Sequence, residues 1–489
     1  MNQISNGEKF STLSLQASLF LIALSAPISI AATQTAWSLA LLFWLIRLIF
    51  VRSRLRRVPF DLAVLVFVGL TLVSSIFSYD QEISLRKMVP VSLVTIVYLV
   101  SEYTTTRRQL HRLFAILLVS CFASCIYTFA TLAVGKNLKL QSLSINSPLK
   151  QAGVETGDTV LKANGISISS PEDLYTAISQ HSIEGSSSIT IYRHELIKTF
   201  ALNSANFTFS DLGILKWSRG RDTRAAGFYG HYVTFAEVLQ LIASLALGLF
   251  VALNGKIFSR NRILLIVALA AYGLALFLTI TRASWLSFLI SAGVMILLGT
   301  SRRTILICGV ISIPLAVGGL FFLQQKRQVG FFDAADGSTS WRLTVWREGF
   351  DLLTSKPRHL AVGVGMDSIK NHYREWHLFD DGRLPMGHMH STPLQFALER
   401  GFPTLIAWII WMFIYLQMLW RKLRENKLEW IERGILLGAF GGTIGFLTSG
   451  LVHYNWGDSE VAMVFYVIMG FSLAIIRKID NPQPVEVVA

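Results

Sequence analysis

Apolar residues come in long runs along this chain, and short basic stretches break them at intervals. The runs fall near 12–31, 33–50, 60–77, 88–102, 112–135, 231–253, 262–280, 283–299, 304–324, 402–420, 432–452 and 460–476. About 20 apolar residues in a helix cross a bilayer. The pattern therefore predicts an all-α polytopic membrane protein of about twelve transmembrane helices, several marginal in length. Two long stretches, near 136–230 and 325–400, interrupt it.

The first interruption has its own periodicity. TVLKAN alternates and leads into Asn164-Gly165, a hairpin turn signal. In SPEDLYTAIS, Ser170 stands as helix cap with Pro171 at the first helical position. SSITIYR and LIKTFAL read as a hairpin. A small α+β domain is expected here.

The basic stretches decide orientation. RSRLRR (52–57), TTRRQLHR (105–112), GKIFSRNR (255–262), SRR (301–303), RKLRENK (421–427) and RK (477–478) occupy alternate loops. The positive-inside rule makes these cytoplasmic, both termini with them, and puts the two long loops on the outer face. Of ten histidines, only His111 falls on the cytoplasmic side. His359, His372, His377, His388 and His390 all lie in the second long loop. Chemistry is expected on the outer face. The divisions that follow are N-terminal helices over 1–135, an insertion over 136–205 and helices over 206–324. A catalytic loop over 325–400 and C-terminal helices with a cytoplasmic tail over 401–489 complete them.

Composition agrees. The 489 residues are 52% hydrophobic and 15% charged, against roughly a quarter charged in soluble chains. The net charge of +14 would suggest a nucleic-acid partner in a soluble protein. Here the cytoplasmic loops account for much of it, and none is expected. Cys121, Cys125 and Cys308 sit within apolar runs and imply neither disulfides nor a metal framework. The N-terminal run lacks a small-residue cleavage site and reads as a first span rather than a removed signal.

Several polar groups stand out against this background. Arg282, in TRAS, lies between two apolar runs, where a guanidinium suits an anion site for a lipid-borne phosphate. In STSWRLTVWREGFDLLTSKP (338–357), Ser340 is placed to cap a helix from Trp341 that buries Trp341, Val345 and Leu352. Arg342 and Arg347 are five apart and diverge, so one faces the site and the other water or Glu348. Gly363 and Gly365 suggest a tight turn near the bilayer surface. GHMHSTPLQFALERG (387–401) sets His388 and His390 before a helix returning to the membrane, with Gln395, Glu399 and Arg400 near the interface. A histidine there titrates near neutral pH and accepts a proton from a hydroxyl. A metal reading would join His388 and His390 to Asp380, Asp381 or another histidine of the loop. His194-Glu195 begins like a zinc-protease HExxH, but Lys198 replaces the second histidine.

Taken in order, RAAGFYGHYVTFAEVL (224–239), TRAS, WRLTVWREGFDLLTSKP…AVGVG and H-STPLQFALERG resemble the O-antigen ligase and polymerase superfamily of membrane glycosyltransferases, over about residues 215–470. The resemblance implies a GT-C-like helical fold in a bacterial inner membrane, with periplasmic loops. It implies that Arg282 and Arg342 hold the diphosphate of a polyprenyl-linked glycan and that His390 sits at the acceptor hydroxyl. Arg224, Arg347, His388, Gln395 and Glu399 complete the implied substrate-binding set. No metal or cofactor is then required. Partners would be the glycan donor, a lipid or glycan acceptor and membrane lipids. Ser391 stands where the family has Asn, and Pro357 to Gly363 is longer than usual. The insertion resembles the C-terminal two-thirds of a PDZ domain: SPLKQAG, the Gly157-Asp158 turn, Asn164-Gly165, the helix and the last strands. No Gly-Leu-Gly-Phe loop appears near 138–146, so it is either a peptide-binding partner site or a spacer.

Three activities stay open. A ligase joins finished glycan to a lipid core; a polymerase joins repeat units, and Arg282 to Gly293 and Arg219 to Gly230 match an Arg-x10-Gly spacing. A protein-glycosylating acceptor is the third. Two other classes compete: a small-solute transporter, which predicts mid-span charges and paired broken helices, and a PDZ-anchored scaffold without chemistry.

Overall fold

The computed structural model describes residues 6–50, 57–180, 186–193, 196–203, 208–221, 224–254, 259–300, 317–318, 321, 337–425 and 428–480. The run at 304–324 and the His194-Glu195 pair fall mostly or wholly outside them. The chain divides into two compact units, with residues 126–225 forming most of the smaller one.

The larger unit is helical. Among the described residues, eight helices are long and apolar enough to cross a membrane: Ile30–Ile49, Gln81–Tyr103, Arg107–Val134, Tyr232–Ala252, Arg260–Leu278, Arg282–Gly299, Phe402–Leu423 and Ser459–Arg477. Phe10–Ser25 and Asp61–Ile76 are shorter apolar helices. The chain is a multi-pass membrane protein. The Gln81–Tyr103 span is broken at Lys87 and again at Leu93 and Val94, beside Pro90, which lacks the N–H a continuous helix needs.

The helix Trp430–Gly450 is less apolar because it is rich in glycine, and it is nonetheless interior. Its Gly434 and Gly438 meet Gly248 of Tyr232–Ala252 so closely that a Cβ on Gly248 would lie 2.4 Å from backbone atoms of both. Small residues four apart let two helix backbones touch, which drives packing where lipid supplies no hydrophobic force. Below the helix ends, Ser244 bonds Ser291 at 2.8 Å, and the buried Glu237 accepts from Ser449 at 2.9 Å.

Residues 337–400 cover one end of this bundle. The helix Gly337–Ser355 begins earlier than the expected Ser340 cap, and it buries Val345 and Leu352 as the periodicity requires. The extra residues after Pro357 form a short helix, Pro357–Val362. Its His359 is buried, bonding Leu352 O at 2.7 Å and the Tyr79 hydroxyl at 3.0 Å. Gly363 and Gly365 serve backbone contact. The N–H groups of Val364 and Gly365 donate to Leu398 O and Glu399 O at 2.8 and 2.9 Å, satisfying carbonyls that the end of helix Thr392–Arg400 leaves free. Both glycines have positive φ, and a Cβ on Gly363 would come within 2.3 Å of Glu399.

The smaller unit is an antiparallel sheet in the order β5-β4-β2-β1-β6, with β3 paired to β2. Its strands are β1 (Asn137–Leu143), β2 (Thr159–Ala163), β3 (Ile166–Ser167), β4 (Ser186–Arg193), β5 (Leu196–Asn203) and β6 (Ile214–Gly220). The expected hairpins and the Ser170 cap, here a full capping box with Asp173, are present. Arg193 forks onto Asp158 at 2.7 and 2.6 Å. Segment 138–146, considered for a carboxylate-binding loop, is mostly β1, and its free edge is taken by β6 from beyond the expected domain end.

Candidate functional site

Three segments of the larger unit bring histidines together at the covered end of the bundle. His231 caps Tyr232–Ala252, His388 and His390 precede Thr392–Arg400, and His453 lies between the last two helices. The His390 ring lies 4.1 Å from that of His388, 6.1 Å from His453 and edge-on to Trp341 at 4.6 Å.

His390 has φ +45°, in the left-handed region uncommon for a side-chain-bearing residue. Its neighbours impose this. Met389 is fully buried, its N–H donates to Gln395 Oε1 at 2.7 Å, and its carbonyl accepts from Trp346 Nε1 at 2.8 Å. On the far side, Thr392 donates its N–H and hydroxyl to His453 O at 3.1 and 3.2 Å. Ser391 accepts from Leu394 N and caps the helix, a job Asn does equally well. Strain held this way costs about 1–3 kcal/mol and concentrates at functional sites. The His390 N–H donates to His388 Nδ1 at 3.2 Å, so His388 carries its proton on Nε2. Among the described residues, buried Nδ1 of His390 has no hydrogen-bond partner.

The electrostatics correct one expectation. Burial first, then His388, His453 and Arg342, push His390 down to about 2 rather than leaving it near neutrality. Burial and Arg342 take His453 to about 3; burial and Lys370 take His388 to about 4. The histidines are neutral bases close to the Arg342 guanidinium, whose charge lowers the pKa of both His390 and His453.

The other sequence candidates separate. Arg342 is half-buried and acts on His390 and His453, whereas Arg347 is exposed on the same helix. Glu348 accepts from the Phe379 and Asp380 N–H groups at 2.7 and 3.1 Å instead of pairing with an arginine. Gln395 and Glu399 are buried. Gln395 holds Met389, and Glu399 Oε1 accepts from Asp367 N at 2.8 Å, so both fix loops. Arg282 opens its helix at a three-residue turn after Leu278, and such short connections put it at the same end of the bundle. Arg224 belongs to the smaller unit. Asp381 bonds His377 at 2.7 Å, and among the described residues no group of three or more His, Cys, Asp or Glu is arranged to hold a metal ion.

His231, His453 and Tyr454 were not singled out from the sequence. Their signal was there: each polar group sits at a span end predicted to share the face of His390. His231 is further tied to a carboxyl, since it bonds Thr234 Oγ1 at 3.1 Å and that hydroxyl donates to Asp458 at 2.9 Å.

Residues 265–409 match the family model described as O-antigen ligase, and residues 133–203 match that of the PDZ domain. The first match contains Arg282, Arg342, Arg347, His388, His390, Gln395 and Glu399, while Arg224, His231 and His453 lie outside it. No curated protein matches the chain at a significant level.

Proposed function

Because this multi-pass membrane protein is of the O-antigen ligase type with an inserted PDZ domain, we propose that it transfers a polyprenyl-diphosphate-linked glycan to an acceptor hydroxyl at the periplasmic face of a bacterial inner membrane. The observation that carries the reading is the buried Nδ1 of His390, without a hydrogen-bond partner among the described residues and held in a strained backbone near Arg342.

In the proposed step the acceptor oxygen attacks the anomeric carbon of the donor. The bond from that carbon to the diphosphate oxygen breaks, and its electron pair leaves with the diphosphate. The hydroxyl proton goes to His390 Nδ1. Arg342 and Arg282 would meet the growing charge on the leaving group, where fixed cations act most strongly in the transition state. The donor also answers the low basicity of His390. A diphosphate placed beside the ring favours the imidazolium and raises its proton affinity. Base strength would thus develop only when the donor is bound. Arg347 and His388 are proposed to contact substrate, with Gln395 and Glu399 positioning the loops that carry the site.

The test is a gel of surface glycans from a host lacking this chain, complemented with wild type or His390→Ala. Core lipid without glycan, unrescued by the variant, supports a ligase. Core capped by one repeat supports a polymerase instead. Full rescue by His390→Ala overturns the role given to that histidine.

A further inference from the structure

A cavity of about 160 Å³ is built around a cation the step above does not use. Tyr454 lines it, with its ring 5.5 Å from that of His388. Arg400, 6% exposed, lines the cavity. Its guanidinium lies over the Phe396 ring at 4.5 Å and near Phe67 at 5.7 Å. Nη2 donates to the Tyr454 hydroxyl at a long 3.4 Å, and buried Nε and Nη1 have no hydrogen-bond partner among the described residues. A guanidinium fixed by aromatic faces with two donors unspent is costly without an anion.

Around the cavity stand three cations, Arg400, Lys87 and Lys370, against two carboxylates, Asp367 and Glu399. Lys87 and Lys370 both pair with Asp367, at 2.9 and 2.8 Å. Burial raises the pKa of Glu399, and the neighbouring Arg400 charge works against that rise. The Lys87 side chain is 45% exposed and marks the mouth. The volume holds several waters, each needing about 10–15 Å³ on this measure, and so has room for a tetrahedral oxyanion.

We infer that the cavity lined by Arg400, Lys87 and Tyr454 is a phosphoryl-binding site, next to but distinct from the histidine cluster. Arg400 supplies a planar pair of donors and Tyr454 a hydroxyl, while Lys87, paired with Asp367, shares its charge between that carboxylate and the anion at the mouth. The assignment of the arriving phosphoryl to a glycan-transfer substrate rests on the function proposed above. The anion site itself does not.

The full chain in nanodiscs is titrated with inorganic phosphate, inorganic pyrophosphate and a short polyprenyl diphosphate, comparing wild type with Arg400→Gln, Lys87→Gln and the exposed-site control Arg383→Gln. The expected result is a loss of about tenfold in affinity with Arg400→Gln, a smaller loss of about threefold with Lys87→Gln, and none with the control. Loss for pyrophosphate and lipid alike points to the phosphoryl group alone; loss for the lipid only points to a lipid-borne source. If Arg400→Gln does not fold by thermal unfolding, Lys87→Gln decides. Undetectable binding to wild type, or affinity unchanged by whichever of the two substitutions folds, overturns the inference. Binding that survives while the glycan gel shows no defect overturns the transfer reading and leaves this site standing.

Discussion

At the scale of single residues, His390 combines a strained backbone with a suppressed charge, and both have measurable consequences. Between about pH 2 and its ordinary 6.5 it is neutral when folded and protonated when unfolded. The unfolded chain binds more protons there, so stability falls as pH drops below 6.5. His453 and His388 add to this down to about 3 and 4. Thermal unfolding of the purified chain should show Tm declining from pH 7 to pH 4, with a shallower decline in His453→Asn. A flat Tm would mean these rings are not buried neutral. Removing the nearby cation gives a second check: Arg342→Met should raise the midpoints of His390 and His453, read by histidine NMR, and lower glycan transfer. Gln395→Leu removes the acceptor of the buried Met389 N–H. That should cost about 1–3 kcal/mol and reduce transfer without abolishing it, as checked by denaturation and the glycan gel.

At the scale of elements, much was legible because local rules decide it. The capping box at Ser170, the hairpin at Asn164-Gly165 and the buried stripe of Val345 and Leu352 all follow from near neighbours in sequence. Ser391 is another such case, and Ser391→Ala should cost about 1 kcal/mol by loss of the cap, measured by denaturation. Two elements were misread or missed. The helix Gly337–Ser355 starts before its apparent cap. Strand β6, ILKWSRG, has an exposed face over most of its length, so it carries no strong alternation; pairing with β1 makes it a strand. Its contribution is tertiary, and substituting its backbone donors with proline should unfold the PDZ domain.

At the scale of the whole molecule, the glycine-rich helix Trp430–Gly450 shows how a segment of modest hydropathy becomes an interior one. Gly438→Leu should block its approach to Leu245 and Ser244 and lower the yield of folded chain from membranes, seen by detergent size-exclusion chromatography. Deleting 136–220, which removes the whole sheet including β6, tests the insertion separately: under the proposed function the histidine site keeps some transfer without it, and complete loss would favour the scaffold reading.

The sequence by itself determined the membrane class, the PDZ-like insertion and the loop that carries His388 and His390, because hydropathy runs, turn residues and caps act over a few neighbouring positions. It also held the candidate arginines, but not which of them meets the histidines. That needed the tertiary structure. Arg342 and Arg347 share one helix, yet it is half-buried Arg342 whose charge acts on His390 and His453, while Arg347 is exposed. His231 and His453 join His390 from segments more than 60 residues away on either side. The basicity of His390 was likewise undecided by its neighbours in sequence, since burial and charges from distant segments set it.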